Sequence, residues 1–189
     1  MLEGTGPGQS AISPAVVEGR GYRTVEKRDE LPEVFKGKQR RRGLLIPTLS
    51  PSGERGYRLR PEHPITRKRK YEQPRGVGCI LDVHPFNLER VRDATVDLWI
   101  VEGEKKSDSL TSRGECAIAL TGVFNFARDG EPLPCWGYVP LEGRTVYVVY
   151  DSDVLTNWQI QLALKRLVVF LEGRGANVLV VYLPEVQDG

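Results

Sequence analysis

The sequence predicts an α/β protein in two parts, a small basic α+β subdomain over residues 1–94 and a mostly parallel sheet with flanking helices over residues 95–189. Three observations predict this. In the second half, apolar segments alternate with helix-patterned ones, as in a parallel sheet covered on both faces. In the first half, short segments are punctuated by Gly and Pro and include one clear hairpin. Charge divides at the same place: residues 1–94 carry 19 Lys+Arg and 12 Asp+Glu, residues 95–189 carry 8 and 13, so halves of +7 and −5 make the net +2. A basic half joined to an acidic half suits a protein that handles a polyanion, although solvated faces produce such splits too.

Taken in order, Ser13-Pro14 reads as an N-cap followed by Pro at the first helical position, so SPAVVEGRGY opens a short helix that stops near Gly19 or Gly21. DELPEVF (29–35) is expected to form a second helical turn. GLLIPTLSPSGERGYRLRP (43–61) is a hairpin: Leu44 to Leu49, a Ser50-Pro51-Ser52-Gly53 turn, and a return over Arg55 to Arg60. On that return, Tyr57 and Leu59 point one way, and Arg58 and Arg60 the other. Two basic clusters flank it, KGKQRRR (36–42) and TRKRKYEQPRG (66–76). Either they are solvated loops or, with Arg58, Arg60, Lys68 and Lys70, they contact a phosphate backbone without reading its sequence.

In the second half, TVDLWIVE (95–102) is a strand, Glu104 to about Thr111 a helix, CAIAL (116–120) a strand and TVYVVYD (145–151) a strand that is apolar until Asp151. Ile160, Ala163, Leu164, Leu167, Val168 and Leu171 recur at helical spacing, with Lys165 and Arg166 outside. Gly173 or Gly175 ends that helix, and NVLVVYLP (177–184) is the last strand. Ligands of open parallel sheets bind outside the carboxyl ends of the strands. Glu102 ends one strand, Asp151 ends another and Asp153 follows by two residues. Like charges brought together raise one another's pKa, and a hard divalent cation removes that conflict. The competing reading makes Asp151 and Asp153 helix caps, and Glu104 a favourable charge at a helix start. Neither GxGxxG nor GKS/T follows a strand, which argues against dinucleotide-binding and P-loop sites.

No apolar run approaches the roughly 18 residues of a membrane span, and MLEGTGPGQS has neither the basic nor the apolar part of a signal peptide. Cys79, Cys116 and Cys135 are odd in number and far apart, which fits a reducing cytoplasm better than a disulfide framework or a zinc site. His63 and His84 each precede a Pro and are too separated to read as a metal pair.

An apolar strand ending in Glu-Gly (IVEGEKKSD: Glu102, Gly103), followed about fifty residues later by one ending in Asp-x-Asp (VVYDSDV: Asp151, Asp153), resembles the TOPRIM domain. Bacterial-type primases, type IA and type II topoisomerases, and certain nucleases and recombination proteins share that Rossmann-like domain. ALTGVFNF (119–126), with Gly122, is similar to the loop after the second strand of that domain, and the resemblance covers residues 95–184. The basic half looks like the subdomain that precedes TOPRIM in bacterial and phage primases. The whole is most similar to the TOPRIM-like domains of bacterial, plasmid and phage replication proteins, often joined to a helicase-like ATPase.

What this resemblance implies is Mg²⁺- or Mn²⁺-assisted nucleotidyl transfer, RNA primer synthesis on single-stranded DNA from nucleoside triphosphates. Asp151 and Asp153 would be metal ligands and Glu102 a ligand or general acid/base. Arg58, Arg60, Lys68 and Lys70, with Gly103 and Gly122, would hold phosphates. A metal-dependent nuclease or recombination enzyme, and a non-catalytic nucleic-acid-binding module with a vestigial site, are the alternatives. The sequence departs from typical primases in lacking a Cys/His cluster ahead of the core, and VLTNWQ follows Asp153 in place of an Ala-Gly-rich helix start. A further acidic segment and closing helix are expected beyond LPEVQDG, as in one module of a larger replication protein.

Overall fold

A computed structural model of the chain describes residues 12–64, 70–150 and 157–182. The first helix, α1 (Pro14–Arg20), begins as its sequence requires. Ser13 Oγ accepts from the Val16 N–H, and the chain leaves through Gly21 at φ 75°, whose N–H bonds the Val17 and Glu18 carbonyls. Strand β1 (Arg23–Val25) pairs antiparallel with β2 (Gly43–Leu49), and β2 pairs with β3 (Arg55–Pro61) in the expected hairpin, giving the order β1-β2-β3. Val25, Leu31, Phe35, Leu45 and Leu59 form a small core against this sheet. The helical turn expected over 29–35 shrinks to a 3₁₀ turn at Arg28–Glu30. Pro32 is the reason, because it drives Leu31 out of the helical region, at φ −77° and ψ 139°.

Beyond residue 80 come β4 (Leu81–Val83), α2 (Leu88–Val91), β5 (Leu98–Glu102), α3 (Glu104–Thr111) and β6 (Ala117–Leu120). After them lie the short ribbon of β7 (Ala127–Arg128) and β8 (Glu131–Pro132), then β9 (Thr145–Tyr150), α4 (Trp158–Gly173) and β10 (Asn177–Tyr182). The main sheet has the order β10-β9-β5-β6-β4, parallel except for β4, which runs against β6. The sheet thus takes an antiparallel strand from the basic half, before residue 95. Leu-Asp-Val is too short for a period and has a carboxylate at its centre, so it did not read as a strand.

The two faces of this sheet differ in chemistry. Leu98, Ile100, Ile118, Leu120, Val146 and Val148 belong to one large apolar core, with Leu164, Leu167 and Leu171 of α4, and with Phe126, Leu133 and Trp136 of the segment between β6 and β9. The predicted apolar stripe of α4 is therefore its buried face. On the other face, small residues (Ala117 and Ala119) let α3 approach closely, with Ser107, Asp108 and Thr111 buried against the sheet. The core also takes Leu81 and Val83 from β4, which leaves Asp82 between them on the α3 side. Arg144, 1% exposed, ties the lower edge together by donating to the carbonyls of Arg90, Val91, Val96 and Pro140.

Candidate functional site

Glu102 ends β5, and the register puts that end level with its neighbours. Val101 pairs with Val149 on β9, and Glu102 with Leu120 on β6. The carboxyl ends of three parallel strands therefore meet at one edge of the sheet. The next residue is Gly103, at φ 87° and ψ 144°, a conformation that strains any side chain. Its N–H bonds the Leu120 carbonyl at 2.9 Å, and α3 starts immediately after it. Gly103→Ala should lower stability by about 1–3 kcal/mol, the cost of such backbone strain. An unchanged urea midpoint would show that the turn relaxes without cost.

Asp151 and Asp153 lie outside the described residues, as does Lys68. In sequence Asp151 directly follows Tyr150, the last residue of β9. The alternative role for these two acids, capping the long helix, is filled by another residue. Asn157 is the N-cap of α4, its side chain accepting from the Gln159 N–H at 3.0 Å. Among the described residues, no three His, Cys, Asp or Glu side chains are grouped to hold a metal. Gly122 lies two residues past β6 in a tight turn, where the Asn125 N–H bonds its carbonyl at 2.8 Å and Asn125 Nδ2 bonds Thr121 Oγ1 at 3.1 Å.

The basic half contributes β3 to this region. Arg58 is 9% exposed and forms an ion pair with Glu104, itself 1% exposed. Arg58 and Arg60 both lie against the ring of Tyr71, at 4.9 Å and 5.7 Å from its centroid. Arg58 is thus spent inside the protein, and Glu104 is more than a favourable charge at a helix start, because it anchors the hairpin to α3. Arg60 remains exposed, and Lys70 is exposed as well. Lys105 is half-buried beside Arg60; burial first, and then that positive neighbour, lower the pKa of its ammonium. The two cations line a groove of about 590 Å³ shared with Tyr22, Arg42, Glu26 and Glu62. Arg42 is paired with Glu26 and Glu62, whereas the ion pairs of the described residues leave Arg60 and Lys105 without a carboxylate.

Behind the groove is an ionic cluster that sequence reasoning missed. Arg20, 3% exposed, grips Asp108 through both Nε (3.0 Å) and Nη2, and reaches Asp82 Oδ1 (3.0 Å) and the Val83 carbonyl (3.1 Å) through Nη1. The Tyr22 hydroxyl donates to Asp108 Oδ2 at 2.6 Å, and the Leu49 N–H to Asp82 Oδ1 at 2.9 Å. Burial opposes the charge on Arg20, but Asp82 and Asp108 more than offset it and raise its pKa. Burial and then Asp108 push the Tyr22 phenol up. Asp82 is fully buried, and its carboxyl is pushed up to about 7 by burial, against the pull of Arg20 and with Glu104 and Asp108 adding repulsion. His84 is structural: its Nε2–H donates to the Val16 carbonyl (2.9 Å), its Nδ1 accepts from the Phe86 N–H (3.1 Å), and burial lowers its pKa.

These features define the class: a mixed α/β protein in which a three-stranded antiparallel sheet is keyed by buried ion pairs to a mostly parallel five-stranded sheet whose strand ends carry the candidate site. Residues 88–189 match the family described as Domain of unknown function (DUF3854). The chain belongs to that family. No curated protein matches the chain. No helix among the described residues is long and apolar enough to cross a membrane.

Proposed function

We propose that this chain is a TOPRIM-like module of the primase type, which transfers nucleotides to an RNA primer on single-stranded DNA with the help of Mg²⁺ or Mn²⁺. The observation that carries the reading is the register of β5 against β9. It sets Glu102 level with a strand whose sequence runs on into Asp151-Ser152-Asp153. The donor set is three carboxylates, all hard oxygen ligands, which suits either ion. When bound there, a divalent ion would neutralise phosphate charge and polarise the attacked phosphorus. Gly103 permits the turn that leaves Glu102 at the strand end. Arg60 and Lys105, uncompensated in the neighbouring groove, supply positive charge for the phosphates of template or nucleotide, and the basic sequence that includes Lys68 and Lys70 would add to it. Arg58 and Glu104 hold the hairpin that carries Arg60 against α3. The three free cysteines fit a protein that works in the cytoplasm, and a helicase-like ATPase, fused or separate, is the partner such a module would serve.

The test is primer synthesis on single-stranded DNA with ribonucleoside triphosphates and Mg²⁺, alongside Mg²⁺ and Mn²⁺ titration. Asp151→Asn and Glu102→Gln are expected to cut synthesis by about 10²–10⁴-fold, the range for losing a group that acts directly at a reacting centre, and to weaken metal binding. Synthesis and metal affinity that ignore both substitutions would sink the assignment. Metal-dependent cutting of labelled DNA without nucleotides would mark a nuclease or recombination enzyme instead. DNA binding that falls steeply with salt yet ignores Mg²⁺ would mark a non-catalytic module.

A further inference from the structure

The ribbon of β7 and β8, between β6 and β9, joins neither of the two larger sheets. Its two-residue turn, Asp129-Gly130, takes positive φ at both positions (52° and 88°), the tight hairpin geometry that matches strand twist. A two-stranded ribbon is marginal on its own, and this one is held from below. The Trp136 indole, 1% exposed, donates to the Phe126 carbonyl at 2.9 Å. The Phe170 ring of α4 lies 5.2 Å from Trp136 and 6.0 Å from Phe126 between ring centroids. An aromatic floor is thereby fixed to the main core.

Above that floor, between the ribbon and α4, runs a groove of about 750 Å³. Phe124, Phe126 and Pro132 form one side, and Leu162, Val169 and Phe170 of α4 the other. Phe124, Leu162 and Val169 are exposed. Helix α4 thus has an outer face besides the stripe buried in the core, with Leu162, Lys165, Arg166 and Val169 at i, i+3, i+4 and i+7. The ion pairs of the described residues leave Lys165 and Arg166 without a carboxylate. Apart from these two cations and Asp129, the lining carries no charged or polar side chain.

Residues 162–169 cover about 10 Å of α4 at 1.5 Å per residue. That length suits two turns of a second helix presenting apolar side chains at i, i+4 and i+7. A second copy of the same face would meet the groove hollow to hollow, and would desolvate Lys165 and Arg166 against their own counterparts. A nucleic acid would find few of the donors and acceptors that sugars and bases need, and only two cations against one carboxylate. Carboxylates flanking an apolar stripe match both the walls and the uncompensated charge.

We propose that this groove docks an amphipathic helix of a partner protein, its apolar stripe seated between Phe124 and the Leu162 and Val169 side chains, its flanking carboxylates met by Lys165 and Arg166. The site uses none of the strand-end carboxylates and stands whether or not they bind a metal.

The test is fluorescence anisotropy of the full chain with two labelled helical peptides of about 15 residues, long enough to hold a helix. Both carry Leu at i, i+4 and i+7; one is flanked by Glu and the other by Lys. The Glu peptide should bind about tenfold tighter at low salt, the size of two partly exposed ion pairs. That preference should reverse when Lys165→Glu and Arg166→Glu are combined. Val169→Ser and Phe124→Ser, exposed changes on opposite walls, should each weaken binding about tenfold, as loss of a buried apolar contact does, with an unchanged thermal midpoint. Asp151→Asn should leave binding as it is, so the metal reading can fail without touching this one. Failure of the Glu peptide to bind would overturn the proposal, as would equal affinity for both peptides that ignores the charge reversal. Displacement of the Glu peptide by octathymidylate would assign the groove to a nucleic acid and overturn the proposal. A concentration-dependent dimer abolished by Val169→Ser would assign it to a second copy, with the same consequence.

Discussion

Replacing Arg20 with Leu is expected to destabilise the protein by about 3–5 kcal/mol, the cost of leaving buried charges uncompensated. Arg20 is the only guanidinium bonded to Asp82 and Asp108 among the described residues, and both carboxylates are fully buried. Removing it also strips the donor from the Val83 carbonyl. The effect should appear as a lower urea midpoint with an unchanged slope. A double variant, Arg20→Leu with Asp108→Leu, should lose less than the sum of its parts, because residues in one ionic network are not additive. A loss for Arg20→Leu of under about 1 kcal/mol, the range of an exposed pair, would mean that water reaches the cluster.

The same cluster should make stability depend on pH. Folding raises the Asp82 carboxyl from its ordinary 3.8 to about 7. Burial is the main cause, and Glu104 and Asp108 add to it, while Arg20 and the Leu49 N–H pull the other way. The folded protein therefore binds this proton more tightly than the unfolded chain does. Stability from this group is fully present below about pH 4 and is lost as pH rises through 7. Across that window the unfolding free energy should fall by a few kcal/mol, if other groups are held constant. In Asp82→Asn, which keeps an oxygen for Leu49 and Arg20 but cannot ionise, that fall should flatten. An identical pH profile for wild type and Asp82→Asn would assign the titration elsewhere.

Much of the fold was legible because its signals are local. Ser13-Pro14 and Gly21 bound α1, the Pro-Ser-Gly turn bounds the hairpin, and the α4 stripe recurs at helical spacing. The Glu104–Thr111 helix falls where its charges predicted. Strand β4 was hidden because three residues around a carboxylate carry no period. Of the candidate site, Glu102, Gly103 and Gly122 could be placed at strand ends from sequence. The partner of Arg58 could not, since 46 residues separate it from Glu104 and no spacing rule spans that gap.

The sequence by itself determined α1, the β2–β3 hairpin, the succession β5, α3, β6, β9, α4 and β10, the apolar face of α4 and the acids that end β5 and follow β9. Each of these depends on residues within a few turns of one another. Only the tertiary structure decided which charges face solvent and which are used up inside. Arg58 and Arg60 share one side of β3, yet the first is locked to Glu104 and the second is left open beside Lys105. Likewise Arg20, Asp82 and Asp108 come from three distant segments and look like ordinary surface charges until folding removes their water. The reason is physical: an ionic side chain's role is set by its desolvation and by the partners packed against it, and neither is encoded in its neighbours along the chain.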